Sequence, residues 1–245
     1  MAAKEMTIPQ KRSLNLNLRA QFNNPTVTKE VSAEISHNVI RGGDYPEKHQ
    51  AALDRLQELF RQYPDAVKTK DYVSDGTVLH QIANFGTKEM AELAIRCGAD
   101  VEATDKHMHT PLHRCAEKNG KTDVAIVLLE YNANINAETR HGITPLVETV
   151  LSNNAELCDL LVICGANPDQ VTKYLGRSAI EHAQHDRPDF VKIMRDAQER
   201  LAGAHTLKSI AETPLQTAQP IEVFEKMKII KKPPSTGAES NVRKP

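Results

Sequence analysis

Apolar residues recur along this chain at spacings of three and four positions, which is the period of a helix with one buried face. Val124, Val127 and Leu128 show this pattern in the middle of the chain, and Leu53 and Leu56 show it nearer the beginning. Aromatic residues make up only 4% of the chain and Trp is absent, so the core must be built from Leu, Ile, Val and Ala. This composition favours closely packed helices over strands, which prefer aromatic and β-branched residues. The sequence therefore predicts an all-α fold.

A repeat with two separate markers runs through the central part of the chain. The first marker reads TVLHQIA, TPLHRCA, TPLVETV and SAIEHAQ, and its starts, 33, 34 and 34 residues apart, are Thr77, Thr110, Thr144 and Ser178. The second marker reads GADVEA, NANINA and GANPDQ, starting at Gly98, Asn132 and Gly165. Two unrelated markers that keep one period predict a stack of similar helical units.

The residue types in these markers predict where each helix begins and ends. The Thr of the first marker can cap a first helix, and Pro111 and Pro145 occupy the first helical position, where a missing N–H costs nothing. Gly98, Asn132 and Gly165 suit the left-handed residue that ends a second helix. Each unit is therefore predicted to be a helix-turn-helix.

These motifs resemble the signatures of ankyrin repeats, TPLHxA and GAD followed by NA, which are nearly intact in the second repeat. The resemblance is close over about residues 72–204 and loose over 31–71. It implies a solenoid of stacked helix-turn-helix units joined by hairpin-like finger loops. It also implies a concave groove of fingers and first helices that binds other proteins, and hydrogen bonds from His80 and His113 between neighbouring loops.

The repeats depart from the ankyrin pattern in two respects. The glycine expected two residues before the first marker is present as Gly142 and Gly176, but Met108 and Asp75 occupy this position in the other repeats. The second and third repeats also contain one more residue than the first, and we expect it at the turn between the two helices. Local distortion of these fingers and turns is the predicted result.

The flanking segments divide the chain into four parts. Residues 1–28 are expected to be a flexible N-terminal arm, and residues 29–71 a divergent N-terminal capping unit. Residues 72–204 hold the repeats together with a C-terminal cap whose last helix has a polar outer face. Residues 205–245, with scattered Pro, Ser, Thr and Lys, are expected to be a largely disordered tail.

Two helices are expected in the capping unit. The earlier helix covers about Lys29–Ile40, and the later one, Glu47–Tyr63, places several Leu side chains on one face. A turn at Gly42-Gly43 is predicted to join them, because glycine readily adopts turn conformations.

Charge is unevenly distributed along the chain. Residues 1–30 and 205–245 each carry a net charge of +3, and residues 31–204 carry −7, which together give the overall −1. This distribution argues against a nucleic-acid-binding module, which normally has a clustered basic face. No stretch approaches the ~20 apolar residues of a membrane span, and the N-terminus does not resemble a secretion signal. We therefore expect a cytoplasmic protein without integral membrane association, and a monomer.

The best cluster of potential metal ligands consists of His107, His109, His113 and Cys115. Zinc sites usually use two ligand pairs separated by a longer loop, and here His113 and Cys115 are explained by the repeat motif and its core. Phosphate-binding loops, GxGxxG, HExxH and GxSxG motifs are missing from the sequence. The four cysteines show no CxxC spacing and lie in no context that activates a thiol. The sequence predicts no metal site, no cofactor and no enzymatic activity.

Positions that the repeat itself does not require are available to recognise a partner protein. On the fingers and first helices the candidates are Lys106, His107, Met108, His109, Arg114, Lys118, Arg140, His141, Glu148, Lys173 and Tyr174. Met108 stands where glycine is expected, so it is either an exposed apolar contact residue or a side chain that folds back onto the next finger. Interface energy concentrates in a few such residues.

Three functional hypotheses remain at this point. The first is a non-enzymatic protein-binding module that uses the concave groove. The second keeps the fold but makes the chain an ankyrin-repeat effector that an intracellular bacterium delivers into the host cytoplasm to bind a host protein. The third, an enzyme with a site in the flanking segments, has little support because those segments are too short to form a pocketed domain.

Overall fold

The helices of this protein come in pairs. The computed structural model describes residues 25–44, 48–71, 74–172 and 176–209, and within these ranges it contains ten α-helices and a short 3-10 helix at Pro64–Lys68. The pairs are α1 (Pro25–Asp44) with α2 (His49–Gln62), α3 (Val78–Phe85) with α4 (Lys88–Arg96), α5 (Pro111–Glu117) with α6 (Thr122–Glu130), α7 (Pro145–Leu151) with α8 (Ala155–Ile163), and α9 (Ala179–Asp186) with α10 (Pro188–Ser209).

The pairs stack in chain order into a two-layer solenoid. The first helices contact one another in the order α1, α3, α5, α7, α9, and the second helices in the order α2, α4, α6, α8, α10. Each pair therefore buries its apolar face against the neighbouring pairs, as in other repeat proteins. The predicted all-α solenoid of helix-turn-helix units is confirmed. No helix in the described part of the chain is long and apolar enough to cross a membrane.

The core is a continuous row of aliphatic side chains between the two layers. Leu79, Leu112 and Leu146 are fully buried at the same position of three successive first helices, and Ile180 follows in the fourth. Because each unit contributes the same inward residue, the stack forms one core along its whole length.

The first helices begin as the sequence indicates. Thr77 and Thr110 form capping boxes with the histidines three residues later, and Ser178 forms one with Glu181. Thr144 accepts a hydrogen bond from the Val147 backbone N–H, and proline occupies the first turn of α5 and α7. The side chains at these starts satisfy N–H groups that have no partner within the helix.

The predicted turn at Gly42-Gly43 is wrong. Helix α1 begins at Pro25, runs through both glycines and ends at Asp44, so the connection to α2 comes later. Gly43 lies against the backbone carbonyl of Phe85 at the end of α3, where a side chain would collide with it. These glycines therefore let helices approach closely; they do not make a turn.

Other predicted boundaries shift slightly. Helix α1 crosses the expected boundary at 28/29, and α10 continues to Ser209, beyond the expected end of the repeats at 204. The segments 1–24 and 210–245, which make up most of the predicted arm and tail, lie outside the described residues.

The extra residue of the second repeat is at the turn between its helices, as predicted, but that of the third is elsewhere. Thr77 to Gly98 and Thr144 to Gly165 are both 21 positions, whereas Thr110 to Asn132 is 22. The additional residue of the second repeat leaves Gly120 with φ +78° in this turn. In the third repeat the additional residue falls in the finger after Gly165.

Ion pairs lie at both ends of the described stack. At the first end, Arg55 of α2 donates to Glu34 of α1 at 2.7 Å. At the other end, Arg195 of α10 forms a two-nitrogen contact with Asp169, with both distances 3.0 Å. The inward residues of α10 are the fully buried Phe190 and Met194. Charged side chains at its ends let a stack terminate without exposing its core.

Candidate functional site

The finger loops follow each second helix and turn back at a tip. A backbone hydrogen bond closes each tip: Asp71 N–H to Gly76 O at 2.9 Å, Asp105 N–H to His109 O at 3.0 Å, Thr139 N–H to Ile143 O at 2.9 Å, and Thr172 N–H to Arg177 O at 3.3 Å. A hairpin-like tip therefore precedes each of the helices α3, α5, α7 and α9. The first residue of every tip is a short side chain that can bond the loop itself.

One residue in each tip has a left-handed backbone. Its φ is +56° at Asp75, +64° at Met108, +73° at Gly142 and +58° at Gly176. The repeat pattern predicts glycine at these four positions. The left-handed conformation is therefore kept even where Asp75 or Met108 replaces the glycine. A side chain in this region costs about 1 kcal/mol relative to glycine.

Neighbouring tips are joined by backbone hydrogen bonds. Lys106 N–H donates to Ser74 O at 3.0 Å, and Arg140 N–H donates to His107 O at 3.1 Å. The Arg140 side chain adds a bond from Nη2 to the Lys106 carbonyl at 2.9 Å. The first three tips therefore form a continuous row whose spacing is fixed before any partner binds.

Asp105 organises the second tip, and the sequence reasoning missed it. Its Oδ1 accepts the backbone N–H groups of His107 at 2.8 Å and His109 at 2.9 Å, and Oδ2 forms an ion pair with Arg114. Burial alone would raise the pKa of Asp105, but these N–H groups and the guanidinium together lower it to about 2. The signal in the sequence is the row Asp71, Asp105, Thr139 and Thr172, which keeps the repeat period.

Two of the predicted contact residues on the first helices are partly engaged within the protein. Arg114, whose side chain is 18% exposed, pairs with Asp105 and donates to Glu117 at 2.7 Å. Glu148, at the equivalent position of the next first helix, is half-buried, and burial and the charge of Glu117 raise its pKa. Lys118, at the end of α5, is exposed. Arg114 therefore has a structural role in addition to any contact with a partner.

The remaining predicted contact residues are concentrated on two adjacent tips. Five of them are exposed there: Lys106, His107, Met108, Arg140 and His141. Met108 is 47% exposed. His109 is half-buried, with its ring 6.0 Å from that of His107 and 5.7 Å from that of His113. Lys173 and Tyr174 lie outside the described residues.

His80 and His113 make the inter-loop hydrogen bonds that the resemblance implied. His80 Nε2 lies 2.9 Å from His109 O, and His113 Nε2 lies 3.0 Å from Ile143 O. The Nδ1 atoms accept the backbone N–H groups of Thr77 and Thr110 at the starts of α3 and α5. Each histidine is therefore neutral, with its proton on Nε2, and ties one helix start to the next finger.

Folding stability should fall as the pH drops below about 6.5. Burial lowers the pKa of His113 to about 4, from an ordinary value of 6.5, and also lowers the pKa of His80. The unfolded chain therefore takes up these protons first, and the stability present above pH 6.5 is lost as the pH falls towards 4. For His113 the loss between pH 7.5 and pH 5.5 is about 1 kcal/mol.

The variant His113→Val tests this pH dependence, because Val147 occupies the equivalent position in the third repeat. Urea unfolding followed by circular dichroism at several pH values should show lower stability at pH 7.5, since two hydrogen bonds are lost. The variant should also show a shallower decline of stability with acid. A decline as steep as that of the unchanged protein would mean that other groups carry the pH dependence.

The candidate metal ligands and the cysteines are the side chains that catalytic or metal-binding chemistry could use. The residues that the structure describes contain no group of three or more His, Cys, Asp or Glu arranged to hold a metal ion. Burial raises the pKa of Cys97, Cys158 and Cys164, the latter two to about 11, and raises that of the fully buried Cys115 further. Thiols with a raised pKa are poor nucleophiles near neutral pH.

Comparison with known proteins gives a match to one family model and to several curated proteins. Residues 48–139 match the family model of ankyrin repeats in three copies. BCL-6 corepressor-like protein 1 of Homo sapiens is 32% identical over 111 residues, which is 45% of this chain and 6% of that protein. Ankyrin repeat and SOCS box protein 6 of Homo sapiens is 28% identical over 131 residues, 51% of this chain and 31% of that protein. Ankyrin repeat protein nuc-2 of Neurospora crassa is 28% identical over 125 residues, 51% of this chain and 12% of that protein.

Proposed function

Because this chain is an ankyrin-repeat protein, matched by the family model over residues 48–139, we propose that it is a non-enzymatic module that binds another protein through its finger tips and first helices. Ankyrin repeats generally serve protein–protein interaction. The matched relatives are much longer, since this chain covers less than a third of each. Their activities therefore add no detail to the proposal, which depends on the surface of this chain.

The observation that carries the proposal is the exposed set Lys106, His107, Met108, Arg140 and His141 on two tips joined by backbone hydrogen bonds. None of these side chains is needed to fill the core. A surface whose backbone is already fixed loses little conformational entropy on binding, so more of its contact energy appears as affinity.

The proposal also covers the cellular compartment, the oligomeric state and the class of partner. We place the interaction in the cytoplasm, where the four free cysteines would stay reduced. We propose a monomer, because charged side chains lie at both ends of the described stack. The partner is a protein rather than a nucleic acid, because residues 31–204 carry a net charge of −7.

The double variant Met108→Asp with Arg140→Glu tests the surface. Its matched control is Tyr131→Asp with Arg96→Glu, which makes the same two kinds of change at exposed residues at the ends of the second helices α6 and α4. All three proteins are used to capture partners, and the affinity for a partner held by the unchanged protein is then measured with purified components.

We expect the tip variant to bind at least about tenfold more weakly and the control to bind normally, because interface energy concentrates in a few residues. Thermal unfolding of each variant excludes a folding defect. Equal affinity of the tip variant and the unchanged protein would place the binding surface elsewhere.

A further inference from the structure

The exposed charge on the two central finger tips is positive, although residues 31–204 as a whole are acidic. Lys106 and Arg140 occupy the same position in successive tips, and each is followed by an exposed histidine, His107 or His141. The backbone bond from Arg140 N–H to His107 O places these two pairs next to each other. The tips therefore repeat a cation and an imidazole with the period of the stack.

Three carboxylates near these tips already make contacts within the protein. Asp105 is buried and bonded to Arg114 and to two backbone N–H groups of its own loop. Glu117 pairs with Arg114 at 2.7 Å, and Glu102 Oε1 accepts the Asn134 backbone N–H at 2.7 Å. Arg140 uses one of its five N–H donors on the Lys106 carbonyl, so others can reach a carboxylate from outside.

Met108 is in the same tip as Lys106, in a conformation that favours glycine. Its φ is +64°, its backbone N–H donates to Asp105 O at 3.0 Å, and its side chain is exposed. Glycine would relieve about 1 kcal/mol of strain at this position. A side chain that raises the energy of the fold and does not fill the core has a use on the outer surface.

We infer that the two tips bind an extended acidic segment of a partner protein, with carboxylates on Lys106 and Arg140 and an apolar side chain against Met108. This inference rests on the proposed function and specifies the chemistry of the partner. Arginine holds a carboxylate through two parallel N–H donors, and a methionine side chain adapts to varied apolar groups. An exposed apolar side chain in the same tip as a cation favours such a peptide over a phosphate backbone, which has no apolar group for Met108.

Fluorescence anisotropy with labelled peptides tests the inference on the full chain. The probes are a Glu-rich peptide of about twelve residues with a central Leu, the same peptide with Gly in place of Leu, and a Lys-for-Glu version. A single-stranded DNA oligonucleotide of matched charge serves as the fourth probe. Each is measured at about 50 mM and about 300 mM salt, because screening weakens exposed ion pairs.

We expect the Leu-containing acidic peptide to bind best and to lose about tenfold in affinity at the higher salt concentration. Lys106→Glu with Arg140→Glu should weaken it by a further tenfold or so. The control Arg96→Glu with Lys192→Glu, which reverses two exposed cations on second helices, should leave it unchanged. Met108→Gly should weaken the Leu peptide several-fold, leave the Gly peptide unchanged and raise the unfolding temperature.

Several outcomes would overturn the inference. Binding of the Lys peptide or the DNA probe as tight as that of the acidic peptide would do so, as would indifference to charge reversal at the tips. If the acidic peptides fail while a captured partner still depends on Met108 and Arg140, the proposed function stands and the acidic partner is wrong. If the captured partner is also insensitive to both residues, both proposals fall.

Discussion

Gly43→Ala is expected to lower the free energy of unfolding by about 2–4 kcal/mol, even though alanine is the better helix former. A Cβ at Gly43 would overlap the carbonyl oxygen of Phe85 and lie 2.8 Å from its carbonyl carbon. Both atoms belong to backbone at the end of α3, so neither can rotate away. Helix α1 would have to move off α3, and the first pair of the stack would pack less well.

Gly203→Ala is the matched control, because Gly203 is also a helical glycine but a Cβ there meets nothing within 4 Å. This variant should be neutral or more stable by up to about 1 kcal/mol, as expected when alanine replaces glycine in a helix. Urea unfolding followed by circular dichroism gives both values. Stabilisation of both variants would show that helical propensity, and not the contact with Phe85, decides the outcome.

The second large effect is expected at Asp105. Asp105→Ala should lower the free energy of unfolding by about 3 kcal/mol, because two backbone N–H groups and Arg114 lose their shared acceptor in a poorly solvated site. Asp105→Thr should cost about 1 kcal/mol, because Thr139 and Thr172 occupy the equivalent positions of later tips. Equal losses in the two variants would mean that the hydroxyl does not substitute for the carboxylate.

Acid should act on Asp105 later than on the histidines. With its pKa lowered from 3.8 to about 2, the stability that Asp105 adds is present above pH 3.8 and is lost as the pH falls towards 2. Asp105→Ala should therefore keep the loss of stability between pH 6.5 and 4 at least as large, because the Asp105 carboxylate raises the pKa of His80 and His113 and its removal lowers both further. Unfolding curves at pH 7.5 and pH 5.5 give the loss of stability between these pH values for the variant and for the unchanged protein. A smaller loss in the variant would mean that Asp105 itself contributes to the titration assigned to the histidines.

The period of the fold and the starts of its first helices could be predicted from sequence, because proline and capping residues act locally. Thr110 and Pro111 define the start of α5 whatever surrounds them. Gly42 and Gly43 were misinterpreted because glycine serves both turns and close helix contacts, and only the position of Phe85 distinguishes the two. A local signal predicts local geometry, whereas a contact between distant segments requires the fold.

The candidate site shows the same difference between features with a local sequence signal and features that depend on contacts between distant segments. Exposure of Lys106 and Arg140 could be predicted, because the repeat makes no use of these side chains, whereas the sequence left the exposure of Met108 open. The internal pairing of Arg114 could not, because it depends on the tip bringing Asp105 over the start of α5. Asp105 itself was overlooked because its partners are mainly backbone N–H groups, which have no signature in the sequence.

The hydrogen bonds between tips have a consequence for how the stack opens. The N–H groups of Lys106 and Arg140 donate to carbonyls of the preceding repeat, at Ser74 and His107. Loosening within one tip leaves such a bond in place, so solvent deuterium reaches these amides when neighbouring repeats move apart. Their exchange rates therefore report the separation of one repeat from the next, and a protein bound across both tips would slow the exchange at Arg140.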